Sequence, residues 1–242
     1  MTLHSLKKPL FVAISAVLLS ACGSDDDDDD PVVAAPETAQ FQVSITNLTF
    51  AQPQSPAGVI FHEIGYSAFA EGQRASVELE TMAEGGAAAP LLTAADADAN
   101  VVATYEGPTP VAPGGNRTFS MTVTTDDLDE LYLTALTMLV NTNDAFTGVN
   151  SVSLAGMAVG DSRRWTGPVW DAGTELNTEA DGTMPGPADG GEGFNAARDD
   201  FNDVVVFHAG VLTQDEGKTD SVLTAVHKFD QPAVSVRVTR TQ

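Results

Sequence analysis

Phe41-Gln-Val-Ser-Ile-Thr-Asn-Leu-Thr-Phe50 sets Phe41, Val43 and Ile45 on one side of an extended chain and Gln42, Ser44 and Thr46 on the other. Successive side chains of a strand point to opposite faces, so this alternation predicts a strand with one face in a core and one in water. The phase changes near Asn47, and Gln52-Pro-Gln-Ser-Pro56 ends the element with two prolines, which cannot donate to a sheet ladder. The same alternation closes the chain at Ala233-Val-Ser-Val-Arg-Val-Thr239. Between these ends Thr118 to Thr124 alternates, and Tyr132 to Val140 is mostly apolar, as in a strand covered on both faces. Val149 to Leu154 and Val204 to His208 supply further strands.

Two segments break the β pattern. Arg74 to Glu84 spaces Ala75, Leu79, Met82 and Ala83 for one helical face, and Gly85-Gly86 stops it. A second short helix is expected over Pro90 to Ala99, while Thr174 to Asn202, rich in Gly, Asp and Asn, reads as long ordered loop. The fold class is therefore mainly β. Two packed antiparallel sheets, a β-sandwich with one or two short helices, are expected in a single domain over residues 40–242.

The chain opens with Lys7-Lys8, an apolar run from Leu10 to Leu19, and Leu19-Ser20-Ala21-Cys22. The run is too short for a permanent membrane span and carries the flanks of a secretory signal. Residues 1–21 are read as a leader. Cys22, the only cysteine, stands at the cut, an arrangement that resembles the bacterial lipobox, in which the cysteine is lipidated. A lipid anchor in the cell envelope is the expectation, and Gly23 at the next position favours the outer membrane over the inner. Asp25 to Asp30 are six like charges with nothing to bury, so residues 22–39 are read as an acidic tether.

Charge narrows the partners. The net charge is −23, and losing Lys7 and Lys8 with the leader takes it to −25, of which the six tether aspartates hold six. Nucleic acid and anionic lipid need Lys and Arg to displace counterions, so neither is an expected partner of the domain. Divalent cations or a saline medium suit such a surface. With Cys22 lipidated no disulfide can form, leaving stability to the core or to a metal.

Two loops offer oxygen ligands. Asn141-Thr-Asn-Asp-Ala-Phe-Thr-Gly148 follows the buried strand, and Trp170-Asp-Ala-Gly-Thr-Glu175 comes later. Calcium takes six to eight oxygens at flexible distances, which carboxylates on loops at strand ends can supply. Asp144 and Asp171 are the leading candidates, with Glu175 behind them. Asp96-Ala-Asp98-Ala-Asn100 imitates an EF-hand opening but has Val101 at position six and Gly107 at position twelve, so it is read as a helix end.

Enzyme signatures are weaker. His62, His208 and His227 lack the spacing of a zinc site, and no Gly-x-Ser-x-Gly elbow occurs. His208 is read as a structural histidine bonding a turn, and Arg163-Arg164-Trp165 as an exposed loop. No catalytic residue is assigned.

These strands and loops together resemble a bacterial spondin-N domain, the module named for the N-terminal part of F-spondin and mindin. The resemblance rests on the Phe41–Phe50 strand, the Gln52–Pro56 turn, the Asn-Asp-Ala-Phe-x-Gly loop and, 27 residues later, Asp171-Ala-Gly-Thr. It implies a C2-like β-sandwich, a bound calcium ion and a role in adhesion or matrix attachment. The family's metal-binding aspartates match Asp144 and Asp171. A further family carboxylate comes from the strand before the first loop; here that region is Thr122-Val-Thr-Thr-Asp-Asp127, where Asp126, Asp127 or else Glu175 would have to serve. An extracellular protein or glycan partner is implied. The competing expectation is an envelope enzyme or solute-binding lipoprotein that uses the loop 174–202 as a lid.

Overall fold

A computed structural model describes residues 36–242. Cys22, the leader and the aspartate run lie outside the described residues. The elements run β1 (Glu37–Asn47), β2 (Gly58–His62), α1 (Val77–Gly85), α2 (Ala89–Asp96), β3 (Val101–Glu106), β4 (Asn116–Thr125), β5 (Tyr132–Met138), β6 (Ala145–Ser153), β7 (Ser162–Gly167), β8 (Val169–Asp171), β9 (Val206–Phe207) and β10 (Val234–Arg240). They form two antiparallel sheets, one of four strands in the order β4-β1-β10-β7 and one of six in the order β3-β2-β5-β6-β8-β9. The mainly β, two-sheet expectation holds.

The alternation of β1 places its apolar set inside. Phe41, Val43 and Ile45 pack with Val236 and Val238 of β10 against Val59, Phe61 and Leu133 of the facing sheet. That cluster is the middle of the sandwich. Among the described residues the six-stranded sheet has a second cover and the four-stranded sheet has none. Ile60, Leu136 and Phe146 leave its other side and meet Leu79, Met82 and Leu91 of the two helices. The described residues thus form three layers, and the six-stranded sheet is the middle one.

Local chemistry fixes the helices. The Ser76 hydroxyl accepts the Leu79 N–H (3.2 Å), so α1 starts at Val77 rather than at Arg74. Gly86, at φ 70°, ends it by donating its N–H to the Met82 carbonyl. The second helix covers Ala89–Asp96, and Asp96–Asn100 is its end and turn, as read.

Some strands were not anticipated. All five residues of β2 are buried, which removes the alternation that marks a strand with one wet face. β3 follows the α2 turn directly. Arg163–Trp165, expected as an exposed loop, is instead the middle of β7 and pairs with β10. Trp170 and Asp171, expected on a loop, form β8 beside β6.

Candidate functional site

Asp144 lies where β5 turns into β6. The Thr142 hydroxyl closes this turn, donating to the Leu139 carbonyl (2.6 Å) and accepting from the Ala145 N–H (3.1 Å). Asp144 is fully buried, with 0 % of its surface exposed. Its Oδ2 accepts from the Thr174 N–H (2.7 Å), the Thr174 hydroxyl (3.1 Å) and the Glu175 N–H (3.1 Å). Its Oδ1 is buried with no hydrogen-bond partner.

Asp171 ends β8 and sits opposite Ala145 in the sheet, so register alone brings the two aspartates to the same end. Its Oδ1 accepts from the Gly173 N–H (2.8 Å) and its Oδ2 from Asn177 Nδ2 (2.6 Å). Asn177 Oδ1 meets His208 Nε2 (3.1 Å), and His208 Nδ1 accepts the Gly210 N–H (2.9 Å). His208 is buried and closes a turn, as the sequence suggests. Gly173 is required in the Asp-Ala-Gly-Thr turn for two reasons. Its φ is +70°, and a Cβ there would stand 2.3 Å from the Val204 carbonyl oxygen.

Two buried carboxylates side by side disfavour a second negative charge. Burial first, and then the charge of Asp171, push the Asp144 carboxyl up to about 7, against the three hydrogen bonds from Thr174 and Glu175. Glu175 is pushed up to about 8 by burial and then by Glu84, Asp144, Asp199 and Glu192.

Glu84 was missed in the sequence. It comes from the last turn of α1, is 0 % exposed, and its Oε2 accepts the Asn195 N–H (2.9 Å) while Oε1 has no partner. Burial raises its carboxyl, against the hydrogen bond from the Asn195 N–H. The charges of Glu84 and Asp144 both press on Glu175, which places the three carboxylates in one neighbourhood. Glu80, one turn earlier, is neutralised by Arg198 (2.5 Å), which also bonds Asp203 and the Ala75 carbonyl. A visible signal existed: Glu80 and Glu84 are four apart, beside Leu79, Met82 and Ala83 on the face that packs.

Asp126 and Asp127 do not join this site. They follow β4 and precede β5, whereas Asp144 follows β5, whose length separates them by roughly 20 Å. Asp127 instead caps the turn at Leu128–Glu130.

The donor set is all oxygen, with one buried oxygen each of Asp144 and Glu84 left unpartnered, which fits a hard cation such as calcium. Among the described residues no three His, Cys, Asp or Glu side chains converge closely enough to enclose an ion on their own. Backbone and amide oxygens or solvent would complete the coordination.

A comparison with curated proteins finds no match. The family model Spondin_N matches residues 51–181, a span that holds α1, both aspartates and Glu175. With more than half of the sequence matched, and with two antiparallel sheets as its architecture, the chain belongs to the Spondin_N family.

Proposed function

We propose that this spondin-N domain is a calcium-dependent binding module, carried on the cell envelope by a lipid on Cys22, with the outer membrane its expected location. The observation that carries the metal reading is Asp144 Oδ1, an orphaned oxygen on a fully buried carboxylate beside Asp171. An unpaired buried acceptor costs stability unless a donor or cation meets it. Asp144 and Asp171 would hold the ion, with Glu175 next to them. Bound calcium would supply the positive charge that these crowded carboxylates lack.

The chain's own residues prepare the position. Thr174 and Glu175 orient Asp144 through its other oxygen, and Asn177 orients Asp171. A neutralised site would in turn fix the loop from Gly173 onward, whose outer surface would meet a protein or glycan partner in adhesion. Catalysis is not part of this proposal. A lid-like role for 174–202 has the Arg198–Glu80 pair against it, since that contact ties the loop to α1.

The test is a thermal melt of the purified protein with calcium and then with excess chelator. A ligand bound only by the folded state adds about 2.7 kcal/mol at a hundredfold excess over its Kd. A shift of several degrees in the native protein that is lost in Asp144→Ala and in Asp171→Ala is the expected result. The same melting temperature with calcium and chelator, or a shift that survives both substitutions, removes the metal.

A further inference from the structure

Among the described residues nothing covers the outward face of the four-stranded sheet, and its composition is unlike the rest of this acidic chain. Cross-strand register aligns Thr118, Ser44, Arg237 and Arg164 in one row across β4, β1, β10 and β7. The next row is Asn116, Thr46, Ser235 and Thr166. Every paired outward position of these strands is Ser, Thr, Asn, Gln or Arg, with no carboxylate, lysine or apolar side chain among them.

Arg237 and Arg164 stand directly opposite each other, both exposed. Like charges facing across strands destabilise a sheet. Among the described residues neither is within ion-pair distance of a carboxylate, whereas Arg74, Arg198, Lys218 and Lys228 each are. Ser235, only 2 % exposed, accepts from Arg164 Nε (2.6 Å) and so fixes that side chain over the sheet. Asn116 Nδ2 donates to the Ser44 and Thr46 hydroxyls (2.7 and 2.8 Å). These groups line a shallow depression of about 270 Å³.

We propose that this face binds an acidic saccharide, with a sugar carboxylate between Arg164 and Arg237 and the sugar hydroxyls on the Ser, Thr and Asn side chains around them. Guanidinium groups present a planar fork that matches a carboxylate. The hydroxyl rows both donate and accept, as sugar hydroxyls do. A protein partner needs apolar area at the centre of its interface, and an inserting lipid needs it too; no outward position provides any. The acidic remainder of the domain repels densely charged polymers, which favours a short or sparsely charged glycan over nucleic acid. The site is on the opposite sheet from Asp144 and does not depend on the metal.

Calorimetry on the purified protein tests it, with an oligogalacturonate, a neutral galactose oligomer of equal length, and inorganic sulfate as probes. The uronate should bind, and more weakly as salt rises. The neutral oligomer should bind at least about tenfold more weakly, as should the Arg164→Gln/Arg237→Gln variant towards the uronate. That variant should melt at or above the native temperature, because a like-charge pair is removed. Arg117→Gln, at the margin of the sheet, should keep full affinity. No uronate binding, equal binding of the neutral oligomer, or undiminished binding by the folded double variant overturns the proposal. Sulfate alone binding as tightly as the oligomer makes this a simple anion site and overturns the saccharide assignment.

Discussion

The four-stranded sheet and the loop end of the six-stranded sheet handle charge in opposite ways. On the first, Arg164 and Arg237 stand in water on a face built only of hydroxyl, amide and guanidinium groups. On the second, Asp144, Asp171 and Glu84 are driven inside, and two of them keep an oxygen with no partner. Solvent screens the exposed pair, whereas the interior magnifies every charge it encloses. The cause is layering. Among the described residues one sheet has a single cover and keeps a wet side; the other is covered twice, so anything polar on it must be satisfied from within or by a ligand.

If that contrast is right, disturbing the buried side should cost far more than disturbing the wet side. The largest effect is expected at Arg198, whose side chain is 11 % exposed over a Glu80 that is 2 % exposed. Arg198→Ala strands a buried carboxylate and should cost about 3–5 kcal/mol in urea unfolding. The double change Glu80→Leu/Arg198→Leu should recover most of that loss. A cost for Arg198→Ala under about 1 kcal/mol would place this pair with ordinary surface bridges and remove the contrast between the two sheets.

Next comes Gly173→Ala. The new Cβ meets the Val204 backbone and the residue must hold φ +70°, so a loss of about 1–3 kcal/mol is expected, together with weakened calcium binding. Retained calcium affinity in this variant would mean that the Asp-Ala-Gly-Thr turn does not shape the site.

The buried carboxyls also make stability depend on pH. Asp144 and Glu175 are raised in the folded chain to about 7 and about 8. A carboxyl raised by folding favours the fold while protonated, so its contribution is complete below the ordinary carboxylate range and is lost as pH climbs through the folded value. In chelator, therefore, the protein should melt lower at about pH 8 than at about pH 5. Calcium should remove or reverse that slope. A chelated protein that gains stability over this window would show that these groups are not held protonated by burial.

The smallest effect belongs to the wet face. Thr118→Ala, at an exposed outward position, should change stability by no more than about 0.5 kcal/mol. A larger loss would mean that the hydroxyl rows hold the sheet together rather than wait for a partner.

Much of the fold was legible because β1, β4 and β10 each have one wet face, which writes a period of two into the sequence. β2 was not legible, since burial on both sides leaves Gly58–His62 without alternation. β7 was hidden for the opposite reason: its outward residues are polar and its inward Trp165 follows two arginines, which read as a loop. Asp144 and Asp171 stand out in the sequence as candidates through the oxygen-rich stretches that hold them, and strand register brings them to the same end of the sheet. Glu84 was not, because a glutamate in a helix is ordinary until its surroundings are known.

The mainly β class, the alternating faces of β1, β4 and β10, the stop after α1 and the choice of Asp144 and Asp171 as candidates can all be read from residues within a few positions of one another. Tertiary packing settles the rest: the six-stranded sheet is covered twice, Glu84 and Asp144 press together on Glu175 from sixty positions apart, and two arginines far apart in sequence face each other across neighbouring strands. Register and layer order do that work. They bring distant residues together at separations that no local pattern records, and burial then sets how strongly their charges are felt.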